Sequence, residues 1–160
     1  MAASPVATSS GSTAGTPSAP RLSLQCEPIG PDTTTIRSLD WDRSRFDIHA
    51  YYCGIARDDD TRDRIRSAVD QWTDITGLSD DAAAARIAAD GIDILVDVNG
   101  YTRDARTAVF ARRPAPIAAN WFGFPGTMGT SYHHYVIADP HVVPESHERF
   151  FTERVLRLPC

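Results

Sequence analysis

Lysine is absent from this chain: all sixteen of its basic residues are arginine. A phosphate-binding loop of the Walker type needs a lysine point charge, so nucleotide hydrolysis of that class is excluded. Positive charge is scarce overall. Against 21 acidic residues the net charge is −5, and no basic run exists that would release counterions from a nucleic acid, so nucleic acid is not an expected partner. Cysteine is sparse as well. Cys26, Cys53 and Cys160 are odd in number, far apart and without C-x-x-C spacing, which indicates neither a disulfide framework nor a zinc site and fits a reduced, cytoplasmic setting. Long apolar runs are missing too: none approaches the roughly 20 residues of a membrane span. The first residues also lack the basic and apolar regions of a secretory signal. No repeat of the tetratricopeptide type is visible.

What is present is a chain of 160 residues, enough for one domain with a hydrophobic core. Residues 1–20 are almost wholly Ala, Ser, Thr, Gly and Pro, with too little apolar surface to offset the entropy of ordering, and are expected to form a disordered tail. Residues 21–41 read as irregular; LSLQC is compatible with a short strand, but Pro28, Gly30, Pro31 and a threonine run follow without a period.

From residue 42 to 160 strands and helices alternate. Phe46, Ile48, Ala50 and Tyr52 alternate with Asp47, His49 and Tyr51 as in a half-buried strand. Acids precede Ile65, Ala68, Val69 and Trp72, the apolar face of a first helix, and a short strand is expected at residues 72–75. A second helix is bounded by an N-cap at Ser79 and a stop at Gly91. Ile92 to Val98 is the near-continuous apolar run of a strand buried between helical layers. A third helix runs through Phe110 until RRPAP ends it, IAANWF returns to the sheet, and a strand at 135–138, a short helix at 145–151 and a last strand VLRL follow. This order predicts an α/β fold: a Rossmann-like parallel sheet flanked by helices.

In such sheets ligands bind beyond the carboxyl ends of the strands, which singles out 97–102 and 122–130. In WFGFPGTMGTS, Gly123, Gly126 and Gly129 permit close backbone approach, Pro125 stiffens the loop, Phe122 and Phe124 offer an apolar wall, and Thr127, Thr130 and free amides offer donors. A long turn whose glycines only satisfy geometry explains the spacing equally well. Asp97, Asn99 and Thr102 have the chemistry to bond a ligand, but Asn-Gly is also a favoured turn pair and Asp97 a natural partner for turn amides. No metal site is expected: His133 and His134 are adjacent on a strand, and His141 and His147 have no i, i+4 partner. His49 reads as structural, the run Asp58, Asp59 and Asp60 as a helix cap, and Arg103, Arg106, Arg112 and Arg113 as either phosphate ligands or a solvated helix face.

The string DGIDILVDVNGYTRDARTAVFARRPAPIAANWFGFPGTMGTSYHHYVIADP, residues 90–140, resembles the O-linked N-acetylglucosamine transferase (SPINDLY) family, whose sequence there is similar to DGIDILVDLNGYT, ALRPAPIQ and WLGYPGTxG. Weaker similarity runs back to about residue 42 and forward through FTERVLRLP. The resemblance implies one incomplete lobe of a two-lobed, metal-independent glycosyltransferase. Such an enzyme transfers N-acetylglucosamine from a nucleotide sugar, UDP-N-acetylglucosamine, to Ser/Thr of acceptor proteins, or fucose in SPINDLY proteins. It also implies that Phe122, Gly123, Phe124 and Pro125 lie against the donor sugar, with Phe122 in place of Leu and Phe124 in place of Tyr. The family's Asp-x-x-x-His-Pro motif, which carries its proton-handling residues, has no counterpart in LSLQCEPIGPDTTTIRSL. Its second lobe, with a lysine and a His-Thr-Thr segment around the phosphates, would follow residue 160. No catalytic residue is therefore assigned, and the expectation is a partial enzyme, inactive as an isolated chain. The alternative is a non-catalytic Rossmann-like binding module. A lobe without its first strand and its partner would also expose apolar surface and self-associate.

Overall fold

The computed structural model describes residues 20–26, 42–54 and 60–158. The expected tail, the stretch compared with the Asp-x-x-x-His-Pro motif beyond Cys26, Asp58, Asp59 and Cys160 lie outside them. Strands β1 (Arg21–Cys26), β2 (Asp47–Tyr52), β3 (Gln71–Asp74), β4 (Ile94–Asp97), β5 (Ile117–Trp121), β6 (Tyr135–Ala138) and β7 (Arg154–Arg157) build one sheet. Helices α1 (Asp60–Ala68), α2 (Asp80–Ala89) and α3 (Thr107–Ala111) and a short 3-10 helix, Glu145–Phe150, lie between them. Every pairing is parallel and the order is β3-β2-β1-β4-β5-β6-β7, the doubly wound arrangement in which the sheet reverses direction between β1 and β4. The α/β expectation is met.

Two of the sequence expectations need correcting. The segment read as irregular holds β1, the central strand, with Leu22 in register with Ile48 on one side and Ile94 on the other. A lobe deprived of its first strand is thus not what the chain forms, and that ground for self-association falls away. Strand β2 is not half-buried: His49 and Tyr51 are buried along with Ile48, Ala50 and Tyr52. The cause is the second layer. Ile48, Ala50 and Val69, with Phe46 and Trp72, pack on one face, while Tyr51 joins Ile75, Ala83, Ala84, Ile87, Leu95, Val109 and Phe110 on the other. Burying the Ile, Leu, Val and Phe side chains among them contributes about 1.5–3 kcal/mol each. The Tyr51 hydroxyl is satisfied by donating to Asp90 Oδ2 at 2.7 Å, and Arg86 Nε donates to the same oxygen at 2.9 Å.

Helix α2 forms where its caps dictate. Ser79 accepts the Ala82 amide at 3.2 Å, Asp80 and Asp81 face the positive end of the dipole, and Gly91, at φ +67°, ends the helix. Among the described residues no helix is long and apolar enough to cross a membrane.

Candidate functional site

The carboxyl ends of β4 and β5 lie side by side, with Asp97 in register with Asn120, so the segments that leave them meet at one edge of the sheet. The first, after β4, is a tight turn. Asp97 Oδ1 accepts the amides of Asn99 at 3.0 Å and Gly100 at 2.8 Å, and Gly100 takes φ +57°. Asp97 is therefore the partner of turn amides and not a ligand group. Asn99 is buried beside Cys53, its Nδ2 lying 3.8 Å from the sulfur, and Thr102 is exposed.

The second segment, residues 122–134, joins β5 to β6 without a helix. It opens on a three-residue γ-turn: the Gly123 amide donates to the Trp121 carbonyl at 3.0 Å, and Phe122 between them sits at φ +75°. That is the rarer hand of the turn, and holding a non-glycine residue there costs about 1–2 kcal/mol. The Phe122 ring is nevertheless 67% exposed, in edge contact with Trp121 at a centroid distance of 6.3 Å. Strain spent on presenting an apolar ring to solvent at the carboxyl edge of a parallel sheet is the pattern expected of a ligand contact.

Neighbouring atoms hold the strained turn. Gly123 lies so close to the β4 turn that a Cβ would overlap the Val98 carbonyl oxygen and come 2.9 Å from its carbon. At Gly100 a Cβ would overlap Phe124 and lie 3.0 Å from its Cγ. Asn120 Nδ2 donates to the Phe124 carbonyl at 2.9 Å, the Tyr101 ring meets Phe124 edge-on at 5.4 Å, and the Tyr101 hydroxyl donates to the Met128 carbonyl at 2.7 Å. The glycines here permit two loops to lie against each other.

The threonines have tasks inside the loop. Thr127 donates to Glu153 Oε2 at 2.7 Å while Glu153 Oε1 accepts the Met128 amide at 2.7 Å, and Thr127 Oγ1 also accepts the Gly129 amide at 3.0 Å. Thr130 faces His133. Neither hydroxyl is held open for a ligand, which differs from the expectation that both offer donors. Glu153, only 5% exposed, was missed by the sequence reading; its only signal is an acid set directly before an apolar edge strand. His133, fully buried, stacks on Phe110 at 5.0 Å. Burial pushes the neighbouring Tyr132 phenol up, helped by Tyr101 and Asp97.

The arginines divide. Arg106 donates to Asp80 and to the Ile75 and Leu78 carbonyls, Arg112 pairs with Asp81, and Arg113 reaches the Ser131 carbonyl, so these three tie α3 and its surroundings together; Arg103 is exposed. His49 is buried beside Asp47, and His134 Nδ1 accepts the Ala118 amide at 3.0 Å, a structural use of both. Among the described residues no group of three or more His, Cys, Asp or Glu side chains is placed to hold a metal ion.

Glycosyl transferase family 41 matches residues 31–159, a span that takes in both loops and the strands beneath them. The chain belongs to this family. Among its relatives, the Caenorhabditis elegans UDP-N-acetylglucosamine–peptide N-acetylglucosaminyltransferase is 35% identical over 119 residues, 74% of this chain and 10% of that protein. The Arabidopsis thaliana protein named Probable UDP-N-acetylglucosamine–peptide N-acetylglucosaminyltransferase SEC is 36% identical over 118 residues, 72% of this chain and 12% of that one. A solved mutant of Thermobaculum terrenum O-GlcNAc transferase superposes with a TM-score of 0.75 at 30% identity, covering 88% of this chain and 28% of that chain. The chain thus spans about a tenth of the length of the curated family 41 relatives it matches.

Proposed function

We propose that this chain supplies donor-side structure to a family 41 protein glycosyltransferase: an enzyme that moves N-acetylglucosamine from UDP-N-acetylglucosamine to Ser or Thr of an acceptor protein. In that reaction the acceptor oxygen bonds to the anomeric carbon as the bond to the diphosphate breaks, UDP leaves with the electron pair, and a base takes the hydroxyl proton. Phe122, Phe124 and Pro125 form an apolar wall for the donor sugar, and Gly123 lets that wall sit directly on the β4 turn. Thr127 belongs to the same site as the residue that fixes the wall's far end. No metal is called for by this donor set, and no residue of this chain is assigned the base. The carrying observation is Phe122, strained and exposed at the sheet's carboxyl edge.

The family's phosphate-binding lysine and His-Thr-Thr segment belong to a second lobe, and charges that stabilise the departing diphosphate are a main source of rate. The chain alone is therefore a binder with little transfer activity, placed in the cytoplasm with the nucleotide sugar. The test uses UDP-N-acetylglucosamine labelled in the sugar, with the purified chain alone and then with a polypeptide carrying a family 41 second lobe. Labelling of acceptor protein only in the second mixture supports the proposal. Absence of label in both, with the donor still bound, favours a non-catalytic binding module instead.

A further inference from the structure

The geometry points to His133 as a positioning residue that couples the two loops of the donor site, acting through Asp97 on one and Thr130 on the other. This rests on the reading of residues 122–127 as a donor-sugar wall. Its imidazole bonds a side chain of each segment: Nε2 lies 3.3 Å from Asp97 Oδ2, and Nδ1 lies 2.9 Å from Thr130 Oγ1. Both ends are anchored in backbone. Asp97 spends its other oxygen on the amides of Asn99 and Gly100, and Thr130 Oγ1 accepts the His133 amide at 3.2 Å. The path from ring to wall is then short, because Gly100 packs on Phe124 and Val98 on Gly123.

The acceptor at Asp97 fixes a proton on Nε2. Asp97 is an acceptor, so Nε2 carries a proton toward it; the Thr130 hydroxyl, which accepts the His133 amide, keeps a proton and a lone pair with which to bond Nδ1. Each polar atom of the group then has a use, and the side chains of His133 and Asp97 are 0% and 2% exposed, where an unmet partner is costly. A histidine that served only as a core ring would need the stack on Phe110 and neither nitrogen.

The experiment separates ring from nitrogens. His133→Phe keeps an aromatic on Phe110 and removes both hydrogen bonds, His133→Gln keeps a donor for Asp97, and Thr130→Val breaks one link without touching the core ring. Amide hydrogen exchange without ligand is read at Gly100 and Gly123, one amide in each loop, with imidazole nitrogen shifts for the proton on Nε2. Exchange in His133→Phe and Thr130→Val should quicken by about tenfold or more at Gly100 and Gly123, whose amides are held by Asp97 and the Trp121 carbonyl, the scale of one lost buried hydrogen bond, with His133→Gln returning most of it. Titration with UDP-N-acetylglucosamine should weaken in the same order. If exchange at Gly100 and Gly123 is unchanged in His133→Phe and Thr130→Val, or Nε2 carries no proton, the inference is overturned. If exchange follows the expected order while the unaltered chain binds no donor, the loop coupling stands and the donor-site reading fails.

Discussion

Replacing Gly123 by alanine tests whether the two loops are held by close backbone contact. The backbone at Gly123 is not in the left-handed region, so the substitution carries no conformational penalty of that kind. Its cost comes from the Val98 carbonyl, which a methyl group would overlap and which cannot rotate away as a flexible side chain would. Forcing a methylene into a packed site costs about 1–3 kcal/mol. Gly100→Ala meets a collision with Phe124 and a φ of +57°, adding about 1–2 kcal/mol for the left-handed backbone to the same overpacking range. Gly77→Ala is the control: nothing lies within 4 Å of its added methyl, and its φ is not positive. It should be neutral or stabilise by up to about 1 kcal/mol through the unfolded chain. The assay is urea unfolding followed by tryptophan fluorescence, with the slope checked for constancy. The expected order of stability is Gly77→Ala, then Gly123→Ala, then Gly100→Ala. If Gly123→Ala were as stable as Gly77→Ala, the loops would not be in the contact described.

Phe122→Gly should be as stable as Phe122→Ala or up to about 1 kcal/mol more so, because glycine releases the positive φ although it gains entropy when unfolded; both should weaken UDP-N-acetylglucosamine binding in titration calorimetry. Glu153→Ala leaves the Met128 amide buried without its acceptor and should cost about 1–3 kcal/mol in urea unfolding, with exchange rising first at Met128 and Gly129. Tyr51 gives a pH test. Burial and then the Asp90 carboxylate hold its phenol well above the usual range, so the folded state favours the protonated form. That contribution is complete below the unfolded phenol's value near 10 and declines as pH rises above it toward the folded value. The difference in melting temperature between the unaltered chain and Tyr51→Phe should hold from pH 7 to 9 and shrink beyond; a constant gap to pH 11 would refute it.

Much of the fold could be read because parallel strands between helical layers announce themselves: ILVD and IAANW are apolar runs, and α2 carries its own start and stop signals. Strand β1 was legible only as compatible with a strand and not as the sheet's centre, since RLSLQC is short, lacks an apolar run and has its partners only in three dimensions. Strand β2 misled by alternation, as a tyrosine and a histidine mark a wet face until a helix covers it. The glycines and prolines placed the loop after β5, but not the γ-turn at Phe122, which no residue type there advertises. Glu153 and the Asp97–His133 pair stayed hidden because they join positions 25 and 36 residues apart, beyond any local period.

Glu153 also fixes where the sheet's outermost strand stands in relation to the β5–β6 segment. It sits one residue before β7 begins, yet its carboxylate grips the middle of the β5–β6 segment. The rim of the sheet and the β5–β6 segment are therefore a single mechanical unit. Trimming the protein before Thr152 would leave Thr127 and the buried Met128 amide without their acceptor, and a pull on β7 would reach the proposed donor-sugar wall without touching it.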